Sequence, residues 1–126
     1  MKLSAIGVTS SNMQKTINFY SLLGFGFPEL KSEDQHIEAI VTEGSIRLMI
    51  DSDKLIKDML GEDPKPGNTS VFALEYSSPA EVDAIVGKVA QAGFAVVKQP
   101  WDAFWGQRYA IVSDPDGHKV DLYAGL

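Results

Sequence analysis

The chain has no cysteine at all. Disulfides, thiol nucleophiles and thiolate metal sites are therefore excluded. Base is scarce: 11 Lys and Arg stand against 17 Asp and Glu, a net charge of −6. Nucleic acid is a poor partner for such a chain, because phosphates demand a basic footprint. No apolar run approaches the roughly 18 residues that span a bilayer. The opening MKLSAIGVTS lacks the apolar core and cleavage pattern of a secretory leader. A cytoplasmic location, with no membrane partner, is the expectation. Low-complexity tracts are absent too. What remains is ordinary for a globular chain: 126 residues, 44% hydrophobic and 22% charged. That length suits one domain with a real core.

Hydrophobic periodicity divides the chain into two halves of the same plan. Residues 3–8, LSAIGV, read as a strand. Ser11 followed by Gln14 has the form of a capping box, and Ile17, Tyr20 and Leu22 or Leu23 make an apolar helical face. Gly24 can end that helix. Strand-like segments follow at 25–29, 38–42 and 46–50, the last two joined by the hairpin signal Glu43-Gly44-Ser45. Residues 53–60 read as a short helix, and 61–68, GEDPKPGN, as a linker.

The pattern then restarts. Residues 70–76 form a strand, and Ser78-Pro79-Ala80-Glu81 opens a helix with cap, proline and glutamate in order. Val82, Ile85, Val86 and Val89 share one face of it. Gly93 ends it. Strands follow at 95–98, 108–112 and 119–123, with a tryptophan-rich loop between the first two. Gly24-Phe25 matches Gly93-Phe94, and GSIRLMI (44–50) matches GHKVDLYA (117–124). This pairing sets Arg47 against Asp121. Strand alternation then turns Ile46, Leu48, Ile50, Phe72, Leu74, Val120 and Leu122 toward the helices. Arg47, Met49, Val71, Ala73, Glu75, Asp121 and Tyr123 must face away.

INFYSLLGF (17–25), the duplicated strand–helix–three-strand plan and DPDGHKVDL (114–122) together resemble the vicinal oxygen chelate superfamily. It includes glyoxalase I, bleomycin-resistance proteins and extradiol dioxygenases. The resemblance spans nearly the whole chain. It implies an α+β fold of two tandem βαβββ modules (about 1–60 and 69–126) forming a partly open, cleft-bearing sheet, and a homodimer. Metal enzymes of that superfamily take ligands from four strand positions. Matched to this sequence, those positions are Ala5, Arg47, Val71 and Asp121. Alanine and valine cannot donate, and arginine is a permanent cation. One carboxylate rarely holds a catalytic metal. His36 and His118 sit on none of the four positions. No metal or other cofactor is therefore expected.

The metal-free, bleomycin-resistance-like branch is the resemblance that fits. It implies binding or sequestration of a small, aromatic or cationic molecule in a dimer cleft. In QPWDAFWGQRYAIVSDPDG (99–117), Trp101, Phe104, Trp105 and Tyr109 offer stacking surfaces, and Asp102, Glu75 and Asp121 offer carboxylates. The expected ligand-binding set is Arg47, Met49, Glu75, Trp101, Trp105, Arg108, Asp121 and Tyr123. Against it stands the plainer reading that these aromatics cover a sheet edge or fill an interface. An Arg47–Asp121 ion pair in place of the metal is a sharper expectation. Two other classes stay open: a lyase, isomerase or dioxygenase of the same superfamily with Glu75 or Asp121 as base, and an interaction module without a small ligand.

Overall fold

A computed structural model describes residues 4–65 and 72–126, with Leu60 described in its backbone only. The third position, Val71, and linker residues 66–68 lie outside the described residues. The chain divides into two compact units, Met1–Lys65 and Pro66–Leu126. Among the described residues there are seven strands in two sheets and three helices, a mixed α+β fold without a closed barrel. None of the helices is long and apolar enough to cross a membrane.

The first unit runs β1 (Ala5–Ser10), α1 (Met13–Leu22), β2 (His36–Glu38), β3 (Arg47–Ser52) and α2 (Asp53–Leu60). Its sheet has the order β1-β3-β2, with β1 parallel and β2 antiparallel to β3. Val8, Ile37, Leu48 and Ile50 are buried, and so are Ile17, Phe19 and Tyr20 of α1. The helix start departs from the sequence reading. Asn12 is the cap, accepting from the Lys15 amide at 3.0 Å. Gln14 donates to Asn18 at 2.9 Å and takes no part in the cap. An asparagine one residue closer to the helix outcompetes Ser11 for that amide.

Two strand assignments also move. The expected strand at 25–29 is a single bridge, Gly26 to Ile40. Pro28 has no N–H for a ladder, and glycine adds no side chain to pack. The expected strand at 38–42 begins earlier, at His36. Ile46 precedes β3 and is 45% exposed, so it does not join the helix-facing set. The turn between the two strands is as read: the Ser45 amide bonds to the Thr42 carbonyl, and Gly44 has φ +87°.

The second unit runs β4 (Phe72–Glu75), α3 (Pro79–Gln91), β5 (Ala95–Ala103), β6 (Gln107–Ser113) and β7 (Lys119–Gly125). Its sheet order is β4-β7-β6-β5, with β4 parallel to β7 and the other pairs antiparallel. Val82, Val86 and Val89 of α3 are buried, as are Ala110, Val112, Val120 and Leu122 of the strands. Ser78 caps α3 as its sequence requires. Glu81 reaches back one residue further, to the Ser77 amide at 2.9 Å and its hydroxyl at 2.7 Å. That strong acceptance holds the Glu81 carboxyl below its ordinary range.

Both helices end alike. The Gly24 amide bonds to Ser21 and the Phe25 amide to Tyr20; the Gly93 amide bonds to Ala90 and the Phe94 amide to Val89. These are the two crossed bonds of a Schellman closure, with glycine at positive φ in each. The Gly-Phe repeat therefore encodes the same helix exit twice. Asp114-Pro115-Asp116-Gly117 is a turn built on a buried side chain: the Asp114 carboxylate accepts from the Asp116 and His118 amides, each at 2.9 Å. The turn aims β7 back along β6.

Candidate functional site

β5 is longer than its sequence suggested. It continues through Trp101 to Ala103, so Trp101 is a strand residue and only Phe104, Trp105 and Gly106 form the turn. Nine residues of β5 span the length that seven of β6 span, with register shifts between Val96 and Lys98 and between Lys98 and Trp101. Each shift resets the alternation. As a result Lys98 stands opposite Ile111 and Trp101 opposite Tyr109, on one face.

That face is the one turned away from α3. Register across the sheet puts Glu75, Tyr123, Tyr109 and Trp101 in one row and Ala73, Asp121, Ile111 and Lys98 in the next. The rings meet at steep angles. Trp101 lies at 61° to Tyr109 and 89° to Trp105, and Trp105 lies at 81° to Tyr109. Tyr123 stacks on Tyr109 at 18°, with centroids 6.1 Å apart. The Trp105 indole N–H is fixed by the Gln107 side chain at 2.9 Å. Asp121 accepts the Tyr109 hydroxyl at 2.6 Å. Burial, then the Asp121 carboxylate, pushes the Tyr109 phenol up to about 12. Perpendicular aromatic walls beside a carboxylate suit a small organic cation, since ring faces carry partial negative charge.

Arg108 is not on this face. Its Nε and Nη2 meet the two Asp83 carboxylate oxygens at 2.8 and 3.1 Å, and its Nη1 meets Asp102 at 3.1 Å. Adjacent strand residues point oppositely, so the register that brings Tyr109 to Asp121 sends Arg108 toward α3. Asp102 goes with it. Arg108 binds the β5–β6 hairpin to the helix, and Asp102 holds Arg108 from within the hairpin.

In the first unit the α1-free face carries Arg47, Met49, Glu38, His36 and Asp51. Arg47 bonds to both Glu38 oxygens, at 3.0 and 3.2 Å, and to the Ser4 hydroxyl at 3.3 Å. His36 bridges Asp51 at 2.6 Å and Glu38 at 3.3 Å. The Asp51 hydrogen bond, aided by Glu38, raises the His36 imidazole above 6.5 against a smaller opposing burial effect. Met49 lies beside Gly7 on the neighbouring strand. Each of the two residues has partners inside its own unit: Glu38 and Ser4 for Arg47, and Tyr109 for Asp121. Sequence reasoning passed over the His36 network, although the alternation of His36 and Glu38 about the buried Ile37 was its signal. It also passed over Lys98.

The residues present do not fit the superfamily's metal. Ala5 stands opposite Arg47 and Ala73 opposite Asp121, and an alanine side chain offers a metal no donor. Among the described residues, no group of three or more His, Asp or Glu side chains is arranged to hold a metal ion. A shallow recess of about 350 Å³ between α1 and the segment 27–30 contains none of the expected site residues.

A family model for the Glyoxalase/Bleomycin resistance protein/Dioxygenase superfamily matches residues 2–122, and the chain belongs to that superfamily. A curated relative, an uncharacterized protein of Mycolicibacterium smegmatis, is 26% identical over 99% of this chain and 95% of its own. Among solved structures, a hypothetical protein from S. aureus matches with TM-score 0.82 and 23% identity, over 98% of this chain and 94% of that one. A glyoxalase-related enzyme from Fulvimarina pelagi matches with TM-score 0.84 and 15% identity, over 98% and 88%. At these identities the structures speak for the fold alone.

Proposed function

We propose that this protein binds, and by binding sequesters, a small aromatic or cationic molecule on the α3-free face of its second module, without a catalytic metal. The observation that carries this reading is the cluster of Trp101, Trp105, Tyr109 and Tyr123 around the Asp121 carboxylate. Glu75 adds a second negative charge to the same face. Membership of a superfamily whose name includes bleomycin-resistance proteins supports capture as the task. The binding unit in this reading is a homodimer with the ligand in a cleft, and Arg47 and Met49 belong to the first module's contribution.

The test is titration with acriflavine, a planar cation, followed by tryptophan fluorescence and calorimetry. Saturable binding is expected, weakened about tenfold by Trp105→Ala, the scale of one desolvated cation–π contact. Undiminished binding by that variant, or no saturation, would remove the reading. Chemical conversion of a bound molecule, seen by mass spectrometry, would favour the enzyme alternative of the same superfamily.

A further inference from the structure

The seat for a cation on this face already holds one. The Lys98 ammonium lies 3.7 Å from the centroid of the Trp101 ring, well inside the reach of about 6 Å for cation–π attraction. Its presence there has a backbone cause. Trp101 is three positions after Lys98, and in a regular strand the two would point to opposite faces. The register shift between them returns both to the same one. Pro100 sits inside the shift, where a missing N–H costs no ladder bond. Among the described residues, no carboxylate lies within ion-pair distance of Lys98. Its ammonium therefore leans on the ring, at the end of a flexible stem that can swing into solvent.

We propose that Lys98 is an internal competitor for this aromatic face: it screens the Trp101 ring when the site is empty and yields to a ligand whose own positive charge replaces it. The inference rests on the ligand-binding reading above. It adds the ligand's charge as a condition: only a cation recovers the interaction that displacing Lys98 gives up. A neutral planar molecule loses that interaction, and an anion is better served by Lys98 staying.

Two probes with one ring system test this: N-methylacridinium, a cation, and 9-acridinecarboxylate, an anion. Affinities are measured by fluorescence for the native protein, for Lys98→Met, which keeps the side-chain length, and for Lys98→Gln, which adds no apolar surface. The cation is expected to bind both variants roughly three- to tenfold more tightly than native protein, and the anion more weakly. Equal cation affinity across the three proteins would overturn the role of Lys98 while leaving the aromatic face as the site. Tightening of cation and anion alike would report added apolar contact and also overturn it. If no protein binds either probe, the binding reading itself falls and this inference with it.

Discussion

Tyr109 gives its phenolic hydrogen to Asp121 across the β6–β7 ladder, at 2.6 Å. The bond ties a half-buried ring of the aromatic face to the carboxylate on the same face. It also predicts an ionisation. Burial first, and donation to the carboxylate second, make this phenol resist losing its proton and push it up to about 12. Asp121→Asn removes the negative charge and should lower the Tyr109 ionisation. The difference in ultraviolet absorbance titration between each protein and its Tyr109→Phe partner isolates the group. An unmoved Tyr109 transition in Asp121→Asn would contradict the coupling.

The His36 bridge makes part of the first module's stability depend on pH. Its folded pKa is raised above the ordinary 6.5, first by the Asp51 hydrogen bond and then by Glu38. Protonated His36 is therefore the stabilising form. Its contribution is fully present below about pH 6.5 and is lost as pH rises through the folded value. His36 is largely exposed, so the effect is small, at most about 1 kcal/mol. Urea midpoints of native protein and His36→Gln should differ at pH 5.5 and converge at pH 9. A constant gap across that range would mean that His36 contributes by packing.

Arg108 should matter for stability rather than for ligand. Its fork on Asp83, with Asp102 as a third partner, fastens the hairpin that carries Trp101 and Trp105 to α3. Arg108→Lys keeps the charge but not the fork. A lowered midpoint in chemical denaturation is expected. Acriflavine affinity should stay within about twofold. A large affinity loss at unchanged stability would place Arg108 in the site after all.

Divalent metal should find no purchase. Ni²⁺, Zn²⁺, Mn²⁺ or Fe²⁺ added to purified protein should leave its melting temperature unchanged, because a metal bound to the native state would raise it by mass action. A stoichiometric rise would show a donor set that Ala5, Arg47 and Asp121 do not supply.

Leu122 is fully buried in the β7 row that packs toward α3. Leu122→Ala should cost about 2–5 kcal/mol through lost transfer energy and a residual cavity. Tyr123→Phe, one residue along on the other face, should cost far less in the same denaturation experiment.

Much of this fold was legible because its signals are local. Gly24-Phe25 and Gly93-Phe94 announce the same helix exit, and Ser78-Pro79 announces a helix start. Alternation placed Glu75, Asp121 and Tyr123 on the correct face, since β4 and β7 run without interruption. It failed in β5, where two extra residues reset the parity and hid the meeting of Lys98 with Trp101. It was silent on Arg108, because alternation says only that Arg108 and Tyr109 diverge. The register against β7 decides which of them faces Asp121. The His36–Asp51 bond joins residues 15 apart through a strand pairing whose left partner is three residues long. Nothing so short declares its register in sequence.

β5 is an edge strand of its sheet. Nine residues laid along seven leave its outer hydrogen-bonding groups out of step with any straight strand that might approach. Pro100 deletes one donor from the row, and Lys98 sets a charge beside it. The irregularity that gathers the aromatic face therefore also guards the protein against adding a foreign strand. Substitutions that straighten β5 should be judged by their aggregation in concentrated solution as much as by ligand affinity.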